Sequence, residues 1–314
     1  MSRWIVLGVW VTVAFLAALF YGQLNFSARP LPQEYKVGVV LKAMDSEYWL
    51  AVRSRMENTA REKGMRLIVM APENEAAYAE QEQIVRDLLA ADVDALVIAP
   101  VDIDRADVYA GMAAERAVPL LTIDEKITDV PYIGSDNYAI GQMAAAYMVE
   151  HIPEGGTVGI LAGVAQQDAH RQRVAGFRDY VQEHGGLRLA VVTMDAAQYR
   201  EAALQTEHMI EEHPNLAGLF VTSAIMSLGA VDTLSAHAAH PVLVGVDTQN
   251  DALRALRDGR IDAIISQDGN DTGRMAIEAV SDALAGRTIP ANSYITNALI
   301  TAANAQDYLL QEDF

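Results

Sequence analysis

Between residues 36 and 303, short apolar runs alternate with longer stretches in which apolar residues recur every third or fourth position. The runs are rich in Val, Ile and Leu and lack polar alternation, as expected of strands covered on both faces. They predict strands at 37–41, 66–70, 95–99 and 120–123, with helix-like spacing at 48–62, 76–90 and 106–116 between them. A second series starts near Asp136. Its strands fall at 158–161, 189–193, 218–221, 242–246 and 263–265. Its helices fall at 140–152, 171–183, 200–211, 228–236 and 252–257, punctuated by Gly155, Gly156, Gly185, Gly186, Pro214 and Pro241. A β-α rhythm of this kind builds a parallel sheet with helices on both faces. The 314 residues are too many for one ordinary core and suit two such lobes.

One apolar segment breaks the rhythm. Residues 4–21 (WIVLGVWVTVAFLAALFY) are uncharged and long enough to cross a hydrocarbon core as a helix. Arg3 and the amino terminus precede them, which favours an N-inside orientation with the rest of the chain outside. The residues that follow, Gly22 to Ala28, hold no clean small-x-small cleavage site, because a cut after Ala28 would need a small residue at Phe26. The expectation is therefore a retained membrane anchor, with a cleaved signal peptide as the alternative. Two prolines in residues 29–34 make the rest of this 1–35 segment a short extended tether. Membrane fractionation should recover the full-length chain with Trp4 present; a soluble product starting after about residue 28 would reject the anchor.

Composition narrows the function. The chain is 51% hydrophobic and 21% charged, which is globular, and its net charge is -19. With 42 acidic residues against 23 basic and no basic run, nucleic acid is excluded as a partner. No cysteine is present, so disulfides, thiolate chemistry, cysteine metal sites and a lipoprotein anchor are all excluded. The seven histidines are scattered; His237 and His240 are suitably spaced for a metal but lack an HEXXH motif. There is also no nucleophile elbow, Walker loop or dinucleotide fingerprint. A catalytic site, a metal and a cofactor are therefore not expected. The carboxylates Asp124 and Asp247 could form a glycosidase pair, but the motifs around them point elsewhere.

Those motifs are VVLKAMDSEYW at the first strand end, DALVIAPVD at the third and VPLLTIDEK at the fourth. YIGSDNYAIGQMAA, AHRQRVAGF and LVGVDTQNDALRALRDGRIDAIISQD follow in order. Together they resemble the ribose-binding branch of the type I periplasmic binding proteins, the solute receptors of ABC sugar importers. The likeness runs from about Lys36 to Ala303. It implies two similar doubly wound α/β lobes joined by a three-crossing hinge, with crossings near Ser135, Asp268 and Ser293 to Tyr294. Residues 36–134 and 269–293 would form lobe 1, and residues 135–268 and 294–314 lobe 2. A LacI-type repressor shares the fold, but the apolar segment occupies the place of its DNA-binding helices.

Ligands of open α/β sheets gather beyond the carboxyl ends of the strands. By the resemblance, Tyr48 and Trp49 are the paired aromatics that face a sugar ring, and Ser46 stands where an amide is usual. Asp124 is the carboxylate that accepts from sugar hydroxyls; Glu125 stands where ribose binders carry arginine and is a further candidate ligand contact. Arg171 is the guanidinium that reaches the ligand, while Arg173, two positions on, points elsewhere toward the hinge or an ion pair. Asp247 and Gln267 are further polar anchors; Ser223 replaces an asparagine and Ala99 a polar residue. Lys42 resembles a ligand-contacting lysine of autoinducer-2-binding relatives, or else is a surface lysine neutralising Asp45 or Glu47. The expected ligand is a small polar molecule, a monosaccharide first. The expected partner is an ABC permease or, if the chain is an anchored sensor, a histidine kinase or chemoreceptor.

Overall fold

The computed structural model describes residues 34–44, 46–193, 198–237 and 240–309. The apolar segment 4–21, and with it the anchor expectation, lies outside the described residues. Among the described residues no helix is long and apolar enough to cross a membrane.

From Lys36 onward the chain builds two six-stranded sheets. The first contains β1 (Lys36–Val40), β2 (Arg66–Met70), β3 (Ala95–Ile98), β4 (Leu120–Ile123), β5 (Tyr132–Gly134) and β11 (Asn292–Tyr294). Its order is β11-β5-β4-β3-β1-β2, and every neighbouring pair is parallel. The second contains β6 (Gly156–Leu161), β7 (Leu187–Thr193), β8 (Leu216–Val221), β9 (Val242–Val246), β10 (Ala263–Ser266) and β12 (Ala298–Thr301). Its order, β12-β10-β9-β8-β6-β7, repeats the first strand for strand, except that β12 runs antiparallel to β10.

Helices α1 (Glu47–Glu62), α2 (Tyr78–Ala90), α3 (Asp107–Glu115) and α9 (Gly269–Leu284) belong to the first sheet. Helices α4 (Asn137–His151), α5 (Asp168–His184), α6 (Tyr199–Glu212), α7 (Ala224–Ala236), α8 (Asn250–Arg257) and α10 (Ala305–Leu309) belong to the second. Strands read as unbroken apolar runs because both faces are covered. In β1, Val37 and Val39 enter one core with Val52, Met56, Ile277 and Val280, while Val40 enters the opposite core with Val85, Leu88 and Tyr109. In β8, Leu219 and Val221 pack with Met226 and Leu253, and Phe220 stacks on Phe177 on the other face. The architecture is that of two α/β lobes with parallel-dominated sheets.

The chain passes between sheets after β5, after β10 and after β11. The three passages are tied together by one side chain. Asn297 Nδ2 donates to Ser135 Oγ at 2.9 Å and to the Ser266 carbonyl at 3.0 Å, so a residue on the third passage grips the first two.

Three helices start earlier than their apolar spacing predicts: α4 at Asn137, α5 at Asp168 and α7 at Ala224. The first turns of α4 and α5 carry mostly small or polar residues, which apolar spacing does not register, whereas α7 opens on Ala224, Ile225 and Met226, of which Ala224 and Met226 also enter the lobe 2 core.

Candidate functional site

A cavity of about 250 Å³ lies between the lobes. Its walls are the residues that follow strand ends: Lys42 after β1, Asp124 after β4, Ser223 after β8, Asp247 after β9 and Gln267 after β10. The repeated strand order makes Asp124 and Asp247 equivalents. Each directly follows the fourth strand of its lobe, and each sits in the left-handed region, at φ 65° and 75°. Aspartate tolerates that conformation better than most residues, and backbone outliers of this kind concentrate at binding sites.

The lobes are shut over the cavity. Asn250 N–H donates to the Glu47 carboxylate at 2.8 Å, and Gln167 Nε2 to the Glu75 carboxylate at 2.7 Å. Ile103 N–H donates to the Gln166 carbonyl at 3.1 Å. Arg171 reaches Asp104 at 3.4 Å.

One wall is aromatic. Tyr48 and Trp49 meet edge to face with ring centroids 5.0 Å apart, and both line the cavity. Trp49 also packs into the lobe 1 core, so it presents only part of its ring. Ser46 lines the cavity beside them while its hydroxyl caps α1, accepting from Trp49 N–H at 3.4 Å.

The floor is charged. Lys42 is buried, with its ammonium 2.5 Å from Asp124 and 2.7 Å from Glu125. Burial pulls the Lys42 ammonium down, but Asp124 and then Glu125 outweigh it and hold the group above its ordinary pKa. Lys42 is therefore neither a surface lysine nor a partner of Glu47. Burial, followed by the nearby Asp124 charge, raises the Tyr48 hydroxyl. On the facing lobe, Gln267 Nε2 donates to Asp247 at 2.5 Å, and burial raises the Asp247 carboxyl against the pull of Arg173.

Two expectations are corrected. Arg171 does not line the cavity; it is 38% exposed and holds Asp104, Asp168 and the Ala165 carbonyl at the rim. Arg173 lines it instead, 3% exposed, donating from Nε to Asn137 Oδ1 at 2.9 Å and from Nη1 to the Thr222 carbonyl at 2.6 Å. The cause is the register of α5, in which His170 and Arg173, three apart, share the inward face that Arg171 turns away from. Glu125 is the second correction. It is 1% exposed and is not a wall of the cavity, because its carboxylate is taken up by Lys42 and by backbone N–H groups of α5.

Several cavity residues escaped the sequence reading: Asn74, Glu75, Gln167, His170, Gln198 and Gln249. The amide capacity missing at Ser46, Ser223 and Ala99 is thus supplied from other loops. Ala99 itself lies off the cavity, its carbonyl accepting from buried Gln81 at 2.9 Å. His170 is fixed by Thr222 Oγ1 at 2.8 Å, and burial, with Arg173 and Lys42 nearby, holds its imidazole well below the usual range. Among the described residues, no group of histidines and carboxylates is arranged to hold a metal ion.

Residues 37–288 match the model of the family described as periplasmic binding protein domain. The chain is 28% identical to the ribose import binding protein of Bacillus subtilis over 262 residues, 82% of this chain and 84% of that one. It is 26% identical to the D-ribose/D-allose-binding protein of Pseudomonas aeruginosa over 270 residues, 82% of this chain and 84% of the other. An ABC transporter periplasmic solute-binding protein from Actinobacillus succinogenes, solved with bound D-allose, superposes with a TM-score of 0.82. That alignment covers 88% of this chain and all of the other at 23% identity, a likeness of fold. With the fold, the interlobe cavity and the family match in agreement, the chain belongs to the periplasmic binding protein family, whose members are extracytoplasmic solute receptors and not enzymes.

Proposed function

We propose that this chain is the receptor of an ABC sugar importer and that it closes on one monosaccharide. The observation that carries the reading is the shut cavity, in which Asp124 and an aromatic wall on one lobe face Arg173 and Asp247 on the other. Carboxylates and amides accept and donate to ring hydroxyls, a guanidinium spans two acceptors, and aromatic faces cover C–H surface. At about 250 Å³ the space lies just below the usual range of ligand sites, which run from roughly 300 Å³ upward. That size supports a single sugar ring over an oligosaccharide. The name of the Bacillus subtilis relative, a ribose import binding protein, supports import over sensing.

In this reading the ligand contacts Ser46, Tyr48, Trp49, Lys42 and Asp124 on lobe 1, and Arg173, Ser223, Asp247 and Gln267 on lobe 2. Half of these contacts exist only when the lobes are shut, so the ligand shifts the population toward the closed form that a permease reads.

The test is a melting-temperature screen over pentoses, hexoses, inositols and autoinducer-2. A true ligand at a hundred times its Kd adds about 2.7 kcal/mol, or roughly 5–10 °C for a body of this size. Silence over the whole panel would reject the sugar reading. Trp49 provides a second signal at the aromatic wall, the other two tryptophans being Trp4 and Trp10.

Asp124→Asn keeps a side chain that accepts the left-handed backbone but removes the charge beside Lys42. It should weaken binding by about tenfold or more, the loss of one charge-assisted hydrogen bond, with the melting temperature of the free protein little changed. Titration calorimetry of the screened ligand checks it.

A further inference from the structure

Glu125 stands one position beyond the cavity-lining Asp124, and its side chain runs across the lobe boundary. Its backbone N–H donates to the Ile123 carbonyl at 2.7 Å, closing a three-residue turn around Asp124. That turn aims Asp124 at the cavity and Glu125 at the opposite lobe. The Glu125 carboxylate meets only donors. Oε1 accepts from Lys42 Nζ at 2.7 Å; Oε2 accepts from the N–H of Asp168 at 2.7 Å and of Ala169 at 3.2 Å. Asp168 and Ala169 are the first two residues of the 17-residue helix α5, at its positive end.

The other side chains that join the lobes differ in kind. Glu47, Glu75 and the Arg171–Asp104 pair are exposed or partly exposed, and such rim contacts contribute little. Glu125, 1% exposed, is the buried carboxylate among them. A carboxylate held by charge-assisted hydrogen bonds away from water is the strong class of contact, and opening the lobes strips two of its donors at once.

We propose that Glu125 is the closure latch of this protein and the positioning residue for Lys42. The same carboxylate that holds α5 against lobe 1 also holds the Lys42 ammonium next to Asp124. The geometry that Lys42 and Asp124 offer to a solute is therefore complete only when the lobes are shut. The ligand-facing half of this inference rests on the proposed receptor function; the latch itself does not. Glutamine cannot replace Glu125, because both oxygens are used as acceptors. An amide would turn its NH2 against either the ammonium or two backbone N–H groups.

The chain has no cysteine, so Ala79→Cys and Glu201→Cys place one spin label on each lobe, at exposed positions in the first turns of α2 and α6. Pulsed EPR on the solute-free protein should show a short-distance closed population that Glu125→Gln moves to longer distance. With the solute identified by the melting screen, the same variant should bind about 10- to 100-fold more weakly, chiefly through faster dissociation. Asp104→Ala, which removes a rim partner of Arg171, should change neither. A paired Lys42→Met, Glu125→Leu variant removes both buried charges together, so it should fold and stay open. Wild-type distances in either the Gln or the paired variant would overturn the latch. Wild-type affinity in Glu125→Gln with lengthened distances would overturn the positioning of Lys42. If no sugar in the panel binds, the receptor reading fails while the solute-free distances still decide the latch.

Discussion

Replacing Arg173 by alanine is expected to lower solute affinity by about 100-fold or more, whereas the same change at Arg171 leaves it within about fivefold. One hydrogen bond to a charged partner is worth roughly 1.5–3 kcal/mol, and a guanidinium facing a sugar makes more than one. Arg173 has the setting for that. It is 3% exposed, and Asn137 and the Thr222 carbonyl fix two of its nitrogens. Alanine there also strands those two buried acceptors and leaves Asp247 without the positive charge that offsets its burial. Arg171 sits 38% exposed among Asp104 and Asp168, and exposed pairs of this kind contribute about 0–1 kcal/mol. Arg173→Lys separates fork from charge, since lysine keeps the charge but cannot reproduce the planar fork. About a tenfold loss is expected, between the other two. Titration calorimetry on the three variants decides the matter, and equal losses at both arginines would mean the cavity is not the binding site.

The same pair shows where the sequence could be read and where it could not. Residues two apart on a helix do not share a face, and the register of α5 decides which of the two arginines turns inward. Apolar spacing in AHRQRVAGF places the helix start at Arg171, but the helix begins at Asp168. Its first turn carries Asp168, Ala169 and His170, which face the lobe gap and leave no apolar period to detect. Asn137 opens α4 with a polar residue in the same way. Helix starts at a cleft are the part of an α/β chain that periodicity sees least.

The strand ends were more legible. Asp124 and Asp247 stand directly after unbroken apolar runs, and rank as candidates because such positions collect at one edge of a parallel sheet. Lys42 and Glu125 needed coordinates. They are 83 residues apart, and only the parallel pairing of β1, β3 and β4 brings them to 2.7 Å. The three-residue strands β5 and β11 give no readable run for a related reason, and β11 (NSY) carries no aliphatic residue. Asn297, in a stretch with no apolar period, gave no sign that it ties the three passages together.

The second large effect concerns how α5 is held, since it carries both His170 and Arg173. Helices α4 and α5 cross so closely that a Cβ on Gly141 would lie 2.0 Å from the Arg173 carbonyl, and one on Gly176 would lie 2.0 Å from the Tyr138 carbonyl. Both obstacles are backbone, so no rotamer change relieves them. In a free helix, alanine is better than glycine by about 0.8–1.0 kcal/mol. Here the clash must exceed that gain, because inserting a methyl group into a packed interface costs about 1–3 kcal/mol and sometimes more. Gly141→Ala is therefore expected to lower the melting temperature by several degrees, roughly 2–4 °C for each kcal/mol lost. It should also weaken solute binding, because the helix shift that admits the methyl group moves Arg173 with it. Gly111 in α3 is the control. Nothing lies within 4 Å of its Cβ position, so Gly111→Ala should hold or raise the melting temperature and leave binding unchanged. A Gly141→Ala protein as stable as the Gly111→Ala one would show that the contact between α4 and α5 does not position the arginine.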